Sequence, residues 1–410
     1  MQGMIALETP ARASRRAGRL ELEGALTVAG QIQELTRAGC SILDLSIGEP
    51  PGPTARHITD AGIRSLEAGE TRYPPPAGLP RLREAVAEYL AHRGIASSPE
   101  QVVITPGAKP ALFYSVLALI KPGDEVLLPD PGFPIYRSIV RFAGGTPVSY
   151  GLRAEAGFQP DPAELATLVS PRTRLVILNS PHNPTGGCIP LATLERIGEL
   201  VLRHRLVVLS DEVYHRFSYR AVQVAPSIAA LPGLASRTIV VDGFSKTWAM
   251  TGWRLGFAVA PTSLAPTVER FAVNVHSGVP PFVQRAGLAA LAGPDQPVQD
   301  MVDGLRRRRD LLVEGLNLIE GIHCPVPDGA FYAFPDFSSI LRCSGLSEVT
   351  FASRLLEDNH VATLPGSGFG REGRGRLRLS FTAPEHDLRA ALLGIRQCIE
   401  TTLSHQGANR

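Results

Sequence analysis

The sequence predicts an α/β protein: a large domain whose mostly parallel central sheet is sandwiched by helices, together with a smaller α+β domain. Three observations carry this. Between about Asp44 and Ala260, short apolar runs alternate with longer segments of helical periodicity, and Gly/Pro-rich turns separate them, as in strands joined by crossover helices. After about Gly293 the texture changes to one long amphipathic segment followed by short mixed elements. A chain of 410 residues, 44% of them hydrophobic, is also long enough to bury more than one core.

Taken in order, the strand candidates are Gln101–Thr105, Glu125–Pro129, Leu175–Asn179, Leu206–Ser210, Thr238–Asp242 and Gly256–Val259. All are short and apolar, and as a set they carry many β-branched residues, the composition of strands covered on both faces. Leu79–His92 and Leu191–His204 place apolar residues at helical spacing with charges opposite, which makes them crossover helices. Val298–Ile319 reads as a single amphipathic helix through Arg306-Arg307-Arg308-Arg309, expected to be a solvated face. Ala330–Phe334, Phe351–Asn359 and Leu377–Phe381 form the smaller unit, and Gly370–Arg376 is a turn. The expected division is 46–295 for the large cofactor-binding domain, with 1–45 and 296–410 as N-terminal arm and small α+β domain.

A formal net charge of +2 from nearly balanced acids and bases points to a small polar substrate and away from nucleic acid. The five cysteines, at 40, 188, 324, 343 and 398, show no metal-ligand spacing, so reduced thiols, no metal site and a cytoplasmic location are expected. No apolar run reaches the roughly 20 residues of a membrane helix, so no membrane partner is expected. The Arg-rich stretch Ala11–Arg16 is read as an arm packing on another part of the protein.

Only three of the 41 basic residues are lysines: Lys109, Lys121 and Lys246. Arginine carries surface charge equally well but stays protonated, so a lysine kept in this background invites a chemical reason. Lys121 has a structural one, a Lys-Pro-Gly-Asp turn before a strand.

Lys246 lies in Gly243-Phe244-Ser245-Lys246-Thr247, directly after a strand, with Arg254 eight positions on. A cofactor aldehyde needs an unhindered neutral amine, and a cofactor phosphate needs a hydroxyl and a bidentate cation, roles suited to Lys246, Ser245 and Arg254. Asp211 ends the preceding strand, where its carboxylate would need a cation such as a protonated pyridine nitrogen, and Tyr214 follows three residues later. The turn Ser180-Pro181-His182-Asn183-Pro184 aims Asn183 at a ligand oxygen, with His182 facing outward. Thr105-Pro106-Gly107-Ala108-Lys109 opens a helix at about Pro110 and makes an anion site. Phe133 stands at a strand-to-helix turn, positioned to stack on a ring. Arg376 and Arg378 share one strand face, and an arginine presented to a pocket suits a carboxylate.

Taken together, these motifs resemble the class I/II aminotransferases of fold type I, the aspartate-aminotransferase-like family, from about Leu45 to Phe381. The resemblance implies pyridoxal 5′-phosphate as cofactor, carried by Lys246. Asp211 would pair with its ring nitrogen, and Asn183 and Tyr214 would hold its phenolic oxygen. Gly107, Ala108, Ser245 and Arg254 match the phosphate cradle, Phe133 the stacking aromatic, and Arg378 and Gly48 the grip on the substrate carboxylate. Tyr73 matches a tyrosine that reaches the phosphate of a neighbouring subunit, implying a homodimer. Two departures stand out: Gly243 replaces a phosphate-binding serine of some members, and His182 replaces the first asparagine of Asn-Asn-Pro.

The implied activity is transfer of an amino group between an L-amino acid and a 2-oxo acid. The same scaffold also supports β-lyase, cyclase and oxidase chemistry. In some relatives a lysine matching Lys109 holds a distal carboxylate, which favours aspartate or glutamate; at a helix start Lys109 is equally readable as a surface residue or part of the cofactor site. A non-catalytic effector-binding module fused to a DNA-binding domain is disfavoured, because the whole catalytic set is present.

Overall fold

The computed structural model describes residues 14–21, 24–220 and 224–407. Its main sheet has seven strands in the order Val102–Thr105, Gly256–Val259, Thr238–Gly243, Val207–Asp211, Thr173–Asn179, Glu125–Asp130, Thr146–Gly151. Gly256–Val259 runs antiparallel to both of its neighbours, and every other pairing is parallel. Alternate residues enter opposite faces: Val126 and Leu128 join one core cluster, while Leu127 joins the other. Burial on both faces explains why the central strands read as continuous apolar runs.

Thr146–Gly151 escapes that pattern. It lies at the sheet edge, is largely exposed or half-buried, and contains Pro147, which an edge strand tolerates and a central one does not. Helices Pro80–Ala91 and Leu191–His204 form where the periodicity predicts. Arg56–Glu67 and Pro281–Ala292, two helices absent from the sequence-based expectation, pack against each other at one side of the sheet.

A second core gathers Leu45, Leu305, Leu312, Phe331, Phe351 and Phe381. Leu43–Asp44 runs parallel to Val361–Ala362, so an early segment and a late one share it. Leu377–Ser380 lies between Leu364–Pro365 and Tyr332–Ala333, antiparallel to both. The helices Gln296–Asn317, Glu348–Asn359 and Glu385–Gly407 pack around these strands.

The Arg306–Arg309 run is not the solvated face expected of it. Arg307 is exposed, but Arg309 lies over the Tyr219 ring, 4.7 Å from its centroid, and donates to the Pro327 carbonyl, while Arg308 donates to that of Thr382. A helix turns four consecutive residues through a full circle, so they cannot share one face. Residues 11–13 of the Arg-rich arm lie outside the described residues. The part that follows packs on the helix Pro134–Ala143, where Arg16 donates to the Phe142 carbonyl and Glu21 N–H to Ser138 Oγ. Among the described residues no helix is long and apolar enough to cross a membrane.

Candidate active site

The parallel strands end on one side of the sheet, and their C-terminal ends and the following turns wall a cavity of about 400 Å³. Asn179, last in its strand, ties two of these ends together. Its Nδ2 donates to the Asp211 carbonyl at 3.0 Å, and its Oδ1 accepts from the Asn183 N–H at 2.9 Å. The turn carrying Asn183 is thereby fixed to the end of the neighbouring strand.

Asp211 and Glu212 diverge, since successive residues at a strand end point to opposite faces. Glu212 turns away to a buried pairing with Arg93 and accepts from Ser210 and Ser227. Asp211 faces the cavity, where Tyr136 Oη donates to its Oδ2 at 2.6 Å. Burial pushes the Asp211 carboxyl up to about 6, against the lowering effect of that hydrogen bond. A carboxylate so placed favours a cationic partner. Tyr214 also faces the cavity, with its hydroxyl 2.8 Å from that of Tyr332.

Lys246 sits in the single helical turn Phe244–Thr247 that follows Thr238–Gly243. Its Nζ donates to the Gly48 carbonyl and lies 5.6 Å from the centroid of the Phe331 ring. Burial, followed by the nearby charge of Arg378, lowers its ammonium to about 8 from the usual 10.5. Gly48 is obligatory here, because a Cβ would stand 1.9 Å from Tyr332 Oη.

Nearby, Gly107 takes φ +92°, and a Cβ on it would lie 2.4 Å from Arg254 Nη2. The helix Ala108–Leu119 begins at this glycine, two residues earlier than the expected start near Pro110. Its first N–H groups, Ser245 and Arg254 together suit an anion. Arg254 is itself held in the left-handed region at φ +55°, with Nη1 donating to the Thr251 carbonyl at 2.7 Å. Lys109 lines the same cavity with its Nζ 5.6 Å from the Phe133 ring centroid.

On the far wall, the Arg378 guanidinium is sandwiched between the rings of Tyr332 and Phe369, at 4.4 and 5.1 Å from their centroids. Nη1 donates to Asn183 Oδ1 at 3.0 Å and Nη2 to the Ser46 carbonyl, while Nε is buried without a hydrogen-bond partner. Arg376, two residues earlier, binds the Phe334 carbonyl and Asp336 instead and does not line the cavity.

Of the sequence-derived candidates, Gly48, Ala108, Lys109, Phe133, Asn183, Asp211, Tyr214, Ser245, Lys246, Arg254 and Arg378 all line this one cavity, and Gly107 abuts it through Arg254. Tyr73 does not: it is 92% exposed on the single chain. His182 contradicts the expectation that it faces outward. It is buried, its Nδ1 is 2.8 Å from Thr185 Oγ1, and burial lowers it to about 3, so it stays neutral. The prolines on either side of the His182-Asn183 pair fold the turn inward, so they do not project it.

Sequence reasoning missed Ser46, Glu49, Tyr136, Asn179, Thr251 and Tyr332, all on the cavity wall. Tyr136 had a signal, being three residues from Phe133 where a helix begins, a spacing that puts both on one face. Tyr332 had none, since it lies inside an apolar run whose other members are core.

With that geometry in hand, comparison with known proteins is decisive about the family. The pattern of class I and II aminotransferases matches residues 41–395. An aspartate aminotransferase of Musicola paradisiaca is 36% identical over 389 residues, 94% of this chain and 96% of that protein. The arginine–pyruvate transaminase AruH of Pseudomonas aeruginosa is 40% identical over 361 residues, 88% of this chain and 90% of that one. Among solved structures, Thermus thermophilus aspartate aminotransferase with maleate superposes with a TM-score of 0.88 at 36% identity, covering 95% of this chain and 100% of that one. The chain therefore belongs to the class I and II aminotransferases, of fold type I. It is a pyridoxal-phosphate-dependent transaminase.

The cavity fits that cofactor on its own chemistry. It presents a buried amine of lowered basicity, a carboxyl that burial leaves in want of a cation, and a glycine-walled anion cradle that a single methyl group would obstruct.

Proposed function

We propose that Lys246 holds pyridoxal phosphate covalently and that the enzyme moves an amino group between an L-amino acid and a 2-oxo acid. The observation that carries this is the shared cavity of Lys246 and Arg378, an amine and a guanidinium facing one volume. When bound, the cofactor supplies an electron-withdrawing ring that lowers the barrier to deprotonation at the substrate Cα. Asp211, a buried carboxylate on the cavity wall, would pair with the ring nitrogen and favour its protonated form. Asn183 and Tyr214 would hold the phenolic oxygen, and Phe133 would supply the aromatic wall beside the ring. Gly107, Ala108, Ser245 and Arg254 would hold the phosphate, with Lys109 adding positive charge at the edge of the site.

Arg378 grips the substrate α-carboxylate beside the Gly48 backbone, with its free Nε and fork geometry suited to two parallel bonds. The Lys246 amine would carry the proton between the substrate Cα and the other side of the exchange. A lowered ammonium value favours that shuttle, because the amine is partly neutral near pH 7.

Lys109 as the holder of a distal carboxylate supports aspartate or glutamate as one substrate, in keeping with the similarity to the Thermus thermophilus aspartate aminotransferase solved with the dicarboxylate maleate. Tyr73, exposed on a single chain, supports a homodimer in which it completes the partner's phosphate site. Five cysteines without a disulfide support a cytoplasmic location. The large domain is proposed to span 46–295, with the remainder forming the arm and small domain.

The test is Lys246→Ala together with a paired assay for amino acid consumed and 2-oxo acid formed. Turnover should vanish while the circular dichroism spectrum is kept; continued multiple turnover would refute the assignment. Product formed without any 2-oxo acid acceptor, with ammonia released, would instead indicate elimination or oxidation.

A further inference from the structure

Tyr332 touches Arg378, Tyr214 and Gly48, each of which the proposed function uses. It stands opposite Ser380 in its antiparallel ladder, so Arg378, two residues back along the neighbouring strand, is its diagonal neighbour on the same face. The guanidinium accordingly lies on its ring, 4.4 Å from the centroid. The Tyr332 hydroxyl is 2.8 Å from that of Tyr214. The same oxygen fills the space a side chain at residue 48 would need, since a Cβ on Gly48 would stand 1.9 Å from it. The Gly48 carbonyl in turn accepts from Lys246 Nζ.

The two hydroxyls have little freedom. Both tyrosines are buried, and among the described residues neither hydroxyl has another hydrogen-bond partner. The Tyr214 ring is fixed edge-on between Phe331, with centroids 5.2 Å apart, and Tyr332, at 5.7 Å. A phenol carries one proton, and a buried one needs an acceptor. If Tyr214 donated to Tyr332, the Tyr332 proton would have no acceptor and Tyr214 would have none to offer a ligand. If Tyr332 donates, its proton is satisfied by Tyr214, and the Tyr214 proton is left for the cavity. The Arg378 charge on the Tyr332 ring favours this second arrangement, because a nearby cation makes a phenol a stronger donor.

We infer that Tyr332 is a positioning residue whose hydroxyl donates to Tyr214 and so turns the Tyr214 proton towards the cofactor's phenolic oxygen. The inference rests on the proposed roles of Lys246 and Tyr214. It makes one phenol common to both halves of the site, with its ring under the substrate-carboxylate arginine and its oxygen behind the tyrosine that holds the cofactor. Donation by Tyr214 stabilises negative charge on the phenolic oxygen and lowers that oxygen's hold on a proton. Without Tyr332 behind it, the Tyr214 hydroxyl loses its orientation and the cooperative polarisation of two chained bonds. The phenolic oxygen then keeps its proton to higher pH. The charged groups facing the pair are Lys246, 6.0 Å from the Tyr214 ring centroid, Arg378 and Asp211, and removal of one hydroxyl leaves all of them present.

The test uses holoenzyme of the wild type, Tyr332→Phe, Tyr214→Phe and the double variant. The pH midpoint at which the visible absorbance of bound pyridoxal phosphate changes is measured, and succinate affinity is measured by calorimetry. Tyr332→Phe should raise the midpoint by at least about 0.3 unit, a roughly twofold change in proton affinity. Tyr214→Phe should raise it further. In the Tyr214→Phe background, loss of the Tyr332 hydroxyl should add less than about 0.1 unit, because its effect runs through Tyr214. Succinate affinity of Tyr332→Phe should stay within about twofold of wild type, since the ring stays under Arg378. An unmoved midpoint in Tyr332→Phe, or a shift of equal size with and without the Tyr214 hydroxyl, would overturn the inference; wild-type transamination would still stand. The expected midpoints in a protein that converts no amino donor would support the inference and remove the proposed reaction. A protein that takes up no pyridoxal phosphate would overturn both.

Discussion

Lys246 should capture pyridoxal phosphate along a titration centred near pH 8, far below that of an ordinary lysine. Burial removes water from the ammonium, and the Arg378 charge adds to the penalty, taking it from 10.5 to about 8. At pH 7 an amine of that basicity is about 10% neutral, whereas an unperturbed one is about 0.03% neutral, a difference of roughly 300-fold. Only the neutral form attacks an aldehyde. The assay is the initial rate at which apoenzyme takes up pyridoxal phosphate, followed by absorbance between pH 6 and 10.5, with Lys246→Ala as the blank. The rate should rise with pH and level off above about 8.5. A rate that goes on rising tenfold per pH unit through pH 10 would refute the reasoning, because it would mean an ordinary, solvated lysine. The same shift appears in stability. Between the folded value near 8 and the unfolded 10.5 the unfolded chain binds the extra proton, so apoprotein stability from this group rises with pH, by roughly 3 kcal/mol in all.

Asp211 works in the opposite sense: its folded value of about 6 exceeds the unfolded 3.8, so the native state binds the extra proton and stability falls as pH rises through that window. Two pH units correspond to roughly 3 kcal/mol, and Asp211→Asn apoprotein should show a flatter dependence of melting temperature from pH 4 to 6; an unchanged slope would contradict the assignment. Gly107→Ala introduces a Cβ 2.4 Å from Arg254 Nη2 at φ +92°. With left-handed strain of about 1–3 kcal/mol, it should weaken cofactor affinity in equilibrium dialysis, and unaltered affinity would remove Gly107 from the cradle. Mixing Tyr73→Ala subunits with Lys246→Ala subunits should restore activity that neither variant has alone, since one site of the hybrid pairs an intact lysine with an intact tyrosine. No recovery after subunit exchange would show that Tyr73 does not act across an interface.

What the sequence disclosed depends on where each residue gets its role. The central strands were legible because burial on both faces leaves a continuous apolar run, whereas Thr146–Gly151 is an edge strand with exposed residues and a proline and looks like a loop. Lys246, Asp211 and Arg254 were legible because each sits at a strand end or turn with unusual chemistry for its background. Tyr136 and Tyr332 act through long-range partners, Asp211 and Tyr214, which lie 75 and 118 positions away and leave no local trace. His182 shows the converse failure: flanking prolines look exposed in sequence, but the turn they shape folds under the Asn179 carboxamide and buries the ring.

The most direct test of the central claim is to load the enzyme with pyridoxal phosphate, reduce it with borohydride, digest it and map the modified peptide by mass spectrometry. The cofactor mass should fall on the peptide containing Lys246 alone. Its appearance on Lys109 or Lys121, or on no peptide, would contradict the account.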